Sequence, residues 1–166
     1  MSASGERADS GSTPSVFGES ASATTAVAGA SSIRTCALVP EKPQLLAWVC
    51  AHWPRWVPEV EAALARLPVA CFIALRDGPA GGDLLGFACH DAIALNFFGP
   101  EGVVPQARGQ GIGRALLLSV LHAQRAQGYA YAIIGGAGPV AFYARAVGAV
   151  PIAGSNPGIY AGMLRD

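Results

Sequence analysis

Apolar positions recur every three or four residues from Ile112 to Ala123, the clearest periodicity in the chain. Ile112, Ala115, Leu116, Val120 and Ala123 form one stripe, Leu117 and Leu121 widen it, and Ser119 is its one polar member. Arg114, His122 and Arg125 mark the outer face. A stripe of this period predicts an amphipathic helix laid on a core. It runs to about Gln127, and Gly128 supplies the stop.

The other elements are shorter. Ile33–Leu38 reads as a first strand. From Lys42 to His52, Leu45, Leu46, Trp48 and Val49 suit a helix that Pro54 ends. A second helix spans Val57–Leu67, with Pro58 in the first turn and Glu59 and Glu61 near the positive end of the helix dipole. Val69–Leu75 and Leu84–Cys89 are apolar runs of strand length around a Gly-Pro-rich turn at 78–82, which predicts a hairpin. Ala94–Phe98 opens another strand, and Gly99-Pro100 interrupts it. Proline donates nothing to a ladder, so this dipeptide marks a bulge or a free edge. Beyond the long helix, Tyr129–Ile134 reads as a buried strand and 135–138 as a turn. A short helix begins at Pro139 and ends at Gly148. Val150–Ala153 and Ile159–Leu164 read as last strands around the turn 155–158. Strands alternating with helices, plus hairpins, give an α/β chain, strictly α+β: a central mixed sheet flanked by helices.

At 166 residues the chain fits one domain. Residues 1–32 are rich in Ser, Ala, Gly and Thr, with Phe17 their only aromatic, and predict a disordered low-complexity tail. Residues 33–166 then form the folded domain. No basic segment precedes an apolar core at the start, as a secretory signal would need. No apolar run reaches the ~18 residues of a membrane span. The expectation is a cytoplasmic protein that binds neither membrane nor, at net charge +0, nucleic acid. Cys36, Cys50, Cys71 and Cys89 lie far apart, without a C-x-x-C pair, and read as free, mostly buried thiols with no metal site.

The run Arg108-Gly109-Gln110-Gly111-Ile112-Gly113-Arg114 stands between a strand and the long helix. Glycines let backbone N–H groups turn outward, and a helix N-terminus adds partial positive charge, so the junction suits a phosphate or pyrophosphate. It is not a P-loop, because the glycines alternate and Lys42 is the only lysine. A dinucleotide fingerprint needs an acidic residue about 20 positions on. None occurs between Arg114 and Asp166.

Arg108, Gly111 and Gly113 match the fixed positions of motif A, R/Q-x-x-G-x-G/A, and the loop resembles that of the GNAT acyl-CoA N-acetyltransferases. The lead-in 102–105 resembles the end of that family's fourth strand. The segment 138–149, with Tyr143, resembles the helix that carries its tyrosine, although Gly136 stands where the family often has asparagine. The likeness covers 33–165. It implies acetyl-CoA as co-substrate, held by the backbone of Arg108, Gly109, Gln110, Gly111, Ile112, Gly113 and Arg114, with Val103 and Val104 pairing with the pantetheine arm. It also implies that the Gly99-Pro100 interruption opens the slot for that arm, and that Tyr143 is the general acid. A phenol of pKa near ~10 suits protonation of a departing thiolate.

For the general base the residues offer Glu101, beside the bulge, and then His90 and Asp91. The family's alternative is ordered water. Trp48, Trp53 and Trp56 would wall an acceptor site or simply pack the early helices on the sheet. The reading is an N-acetyltransferase acting on a primary amine of a small molecule, with a homodimer left open. The alternatives are a catalytically silent acetyl-CoA sensor and a protein N-acetyltransferase.

Overall fold

The computed structural model describes residues 25–27, 31–78 and 82–164. Its strands are β1 (Thr25–Val27), β2 (Ser31–Thr35), β3 (Cys71–Arg76), β4 (Asp83–His90), β5 (Phe97–Val103) and β6 (Ile133–Ile134). Its helices are α1 (Glu41–His52), α2 (Val57–Leu64), α3 (Ile112–Ala126) and α4 (Val140–Val147). The strands form one sheet in the order β1-β2-β3-β4-β5-β6. Neighbours run antiparallel from β1 to β5, and β6 joins β5 in parallel through the α3 crossover. The mixed sheet flanked by helices is the architecture expected from the sequence.

Strand alternation sorts the core into two layers. On β3, Cys71 and Ile73 face α1 and α2, where they meet Leu45, Val49, Val60 and Leu64. Phe72 and Ala74 face the other way, toward Leu116, Leu117 and Val120 of α3. The predicted α3 stripe is therefore the buried face of the helix. Gly86 allows this close fit. A Cβ there would sit 2.8 Å from the Gly102 carbonyl oxygen and 3.1 Å from Leu116 Cδ1.

Several expectations change. β1 lies inside the segment 1–32 read as a tail, and β2 begins at Ser31, so that boundary is too late. Pairing of Thr25 with Ile33 and Val27 with Ser31 satisfies backbone groups that composition alone does not report. Residues 1–24 and 28–30 lie outside the described residues. Helix α2 ends at Leu64, short of Leu67. Residues 91–96 form a tight turn, so β5 starts at Phe97. Asp91 and Asn96 take positive φ there, and the Asp91 carboxylate accepts the Asn96 N–H at 2.6 Å.

The expected strand Tyr129–Ile134 contracts to Ile133–Ile134, and Tyr131 is 69% exposed. The two last strands are absent. Val150 is 81% exposed, and Tyr160 belongs to a 3-10 turn, Gly158–Tyr160. Short apolar runs fit a strand or an irregular segment equally; a neighbouring strand decides. Cys36, Cys71 and Cys89 are buried and Cys50 is exposed, all four as free thiols. No described helix is long and apolar enough to cross a membrane.

Candidate active site

The site begins with the defect in β5. Ala88 pairs with Glu101 and His90 with Phe98, so two steps along β4 oppose three along β5. The extra residue is a β-bulge, at the Gly99-Pro100 dipeptide, as the sequence indicates. Gly99 has φ +115, a conformation that needs glycine, and Pro100 has no N–H for the ladder. On the other edge, β5 pairs with β6 only at Phe97–Ile133 and Phe98–Ile134. Past the bulge the two strands part. A cavity of about 420 Å³ fills the gap, lined in part by Phe98–Glu101, Ile134–Pro139 and Tyr143.

Glu101 and Tyr143 meet there. The Tyr143 hydroxyl donates to Glu101 Oε2 at 3.4 Å. Glu101 Oε1 is buried without a hydrogen-bond partner. Gly113, in the first turn of α3, leaves room for it: a Cβ at that position would lie 3.4 Å from Oε1. Burial disfavours the carboxylate and pushes the Glu101 pKa up to about 8, while the Tyr143 hydrogen bond partly offsets this. Burial also raises the Tyr143 phenol well above its usual value, and the Glu101 carboxylate beside it adds to the shift. Tyr143 therefore stays protonated at neutral pH. Its ring is fixed edge-on against Phe98 and Phe142, at centroid distances of 6.0 and 5.0 Å.

The glycine loop follows β5. Val104 leads into a 3-10 turn, Pro105–Ala107, and Gly109 and Gly111 take φ of +74 and +80. Gly111 caps α3, and no side chain caps its N–H groups. The first intrahelical bond from this end is Ala115 N–H to the Gly111 carbonyl, at 3.0 Å. The N–H groups of Ile112, Gly113 and Arg114 thus remain for a ligand. Nothing lies within 4 Å of where Cβ atoms of Gly109 and Gly111 would be, so the outside of the loop is open. This donor set fits the pyrophosphate of a coenzyme A molecule.

Other candidates make contacts within the fold. The exposed Arg108 donates through Nε to the Val103 carbonyl at 3.1 Å and ties the loop to β5. The Val104 N–H is bonded to the Leu85 carbonyl at 3.0 Å, so it is committed to the sheet. Gln110 donates to the Gln106 carbonyl at 3.2 Å. His90 Nδ1 and Asp91 Oδ2 lie 3.0 Å apart, both residues buried, and Asp91 also closes the 91–96 turn. Trp48, Trp53 and Trp56 surround Phe87, and Trp53 closes over Gly102, where a Cβ would come within 2.9 Å of its ring. All three pack on the sheet, and Trp56 also lines the cavity.

Glu59 and Tyr160 line the cavity as well and were not singled out in the sequence. Glu59 reads there as a helix-end charge and Tyr160 as part of a strand. Among the described residues, no group of three or more His, Cys, Asp or Glu side chains could hold a metal ion.

No protein-family model and no curated protein matches the chain. Among solved structures it is similar to YhbS of Escherichia coli, a GNAT family N-acetyltransferase in complex with CoA, with a TM-score of 0.55 and 21% identity. That match covers 74% of this chain and 69% of YhbS. It is also similar to a Desulfovibrio desulfuricans protein assigned to the GNAT family, with a TM-score of 0.48 and 20% identity over 71% of this chain and 84% of the other. A proposed acetyltransferase of Pyrococcus horikoshii matches with a TM-score of 0.46 and 18% identity over 59% of this chain. This chain spans 36% of that protein's length. The likeness to YhbS establishes that the chain has the GNAT fold.

Proposed function

We propose that this protein is an acetyl-CoA-dependent N-acetyltransferase acting on the primary amine of a small molecule, with Glu101 as general base and Tyr143 as general acid. The observation that carries the reading is the Glu101–Tyr143 pair in the cavity beside the β5 bulge. The open N–H groups of α3 support the cofactor assignment, and YhbS, which shares the fold, was crystallised with CoA. The pyrophosphate rests on the backbone of Ile112, Gly113 and Arg114. Gly109 and Gly111 let it approach. Acetyl-CoA supplies the acetyl group as an activated thioester.

Glu101 takes one proton from the incoming ammonium and releases it to solvent. A carboxylate of pKa about 8 is a far better base for this than an ordinary one. The free amine attacks the thioester carbonyl carbon. As the C–N bond forms and the C–S bond breaks, Glu101 accepts the second amine proton and Tyr143 gives its own to sulfur. The Tyr143–Glu101 hydrogen bond then returns the proton to Tyr143. The products are the acetamide and free CoA, with one proton released overall.

The test is acetyl-CoA turnover against a panel of small amines, with Glu101→Gln alongside. The native protein acetylates at least one amine, and the variant loses the activity while keeping its fold. Full turnover by the variant contradicts the assignment.

A further inference from the structure

The cavity holds a second carboxylate besides Glu101. Glu59 in the first turn of α2 lines the cavity, as do Trp56 just before that helix and Tyr160 in the 3-10 turn Gly158–Tyr160. The half-buried Glu59 carboxylate makes no hydrogen bond or ion pair with any described side chain, and no Lys, Arg or His lines the cavity. Burial raises the Glu59 pKa, and the Glu59 charge adds to the rise at Tyr160. Ile93, Phe98, Pro100 and Ile134 supply apolar surface to the same cavity.

A half-buried carboxylate without a cation is costly and draws one from solution. Glu101 already meets the reacting ammonium, so Glu59 is a second negative centre at the same opening. Trp56 and Tyr160 line the same cavity, and Tyr160 lies close enough to feel the Glu59 charge; aromatic rings beside a carboxylate favour an ammonium group. An aliphatic spacer suits the apolar lining, and about 420 Å³ is ample for a short chain.

We infer that the acceptor carries two cationic centres, one the amine acetylated at Glu101 and the other an ammonium held by Glu59 in the cavity that Trp56 and Tyr160 line: a short aliphatic diamine. The inference rests on the transfer reading for the role of Glu101. Glu59 is then a substrate-positioning residue and takes no part in proton transfer. A Glu59 that served only the α2 dipole would not distinguish one amine from another.

Binding separates the two readings. Calorimetry with 1,4-diaminobutane and butylamine, on the full chain with and without CoA, reads the second cation directly. The diamine binds the native protein at least tenfold more tightly than the monoamine. Glu59→Gln removes that preference. Equal affinity of the two amines, a preference that survives in the variant, or no binding of either overturns the inference. If the diamine preference holds and depends on Glu59, but neither amine is acetylated, then the transfer reading fails and the dication site stands.

Discussion

At the centre of the sheet, β3 and β4 pair without a gap from Cys71–Cys89 to Ala74–Gly86. At the margin, β5 and β6 pair only at Phe97–Ile133 and Phe98–Ile134. The central strands are filled on both faces: Phe87, Ala88 and Cys89 are fully buried. The margin opens where the bulge ends the pairing, and the vacated space holds a carboxyl and a phenol. Continuous pairing leaves side chains no option but to pack. Interrupted pairing leaves room for groups that a core would exclude, and their desolvation shifts their acidity. Stability and chemistry are thus divided between two parts of one sheet.

The largest effect is expected at the centre. Phe87→Ala removes a fully buried ring that Trp48, Trp53 and Trp56 surround, and should cost about 3–5 kcal/mol in denaturant unfolding. A loss under 1 kcal/mol would show that the centre does not carry the stability.

Next is the loop. At 100 times its Kd, acetyl-CoA should stabilise the native fold by about 2.7 kcal/mol. Gly111→Glu should abolish that gain, because the carboxylate repels the pyrophosphate and φ of +80 strains any side chain. An acetyl-CoA melting shift that persists in the variant would remove the loop from the cofactor site.

Glu101→Gln should lower turnover by about 10²-fold or more. Its stability carries an independent signature. The folded pKa of about 8 lies above the unfolded value, so the stability that Glu101 contributes as the neutral acid is fully present below about pH 4 and is lost as pH rises through 8. Gln has no proton to lose. The variant should therefore gain melting temperature relative to the native protein between pH 6 and 9. A constant difference across that range would mean that Glu101 is not desolvated.

Tyr143→Phe is expected to have the smallest effect, about tenfold in kcat and in kcat/KM alike, with acetyl-CoA affinity within a few-fold. The ring keeps its place against Phe98 and Phe142, and only the hydroxyl is lost. Unchanged turnover would assign Tyr143 to packing and leave proton delivery to water.

What the sequence revealed follows the same division. The α3 stripe, the β3–β4 hairpin and the Gly99-Pro100 bulge were legible, because each is a local pattern of period or backbone freedom. Glu101 was a candidate because it adjoins the bulge, but its unpartnered Oε1 depends on Gly113 and so on tertiary packing. Glu59 and Tyr160 were missed because a side chain's role in a cavity depends on chain a hundred residues away. The strands expected at Val150–Ala153 and Ile159–Leu164 failed for a related reason. Apolar content favours extension, but nothing in a linear pattern says whether a partner strand lies alongside.

The most direct test is the pH dependence of kcat/KM for acetyl transfer to an amine whose own pKa lies well above 9. The account predicts an ascending limb with a midpoint near pH 8 in the native protein, set by Glu101, and its disappearance from the residual activity of Glu101→Gln. The same limb at the same midpoint in the variant would contradict the claim that the carboxyl in the gap between β5 and β6 is the base.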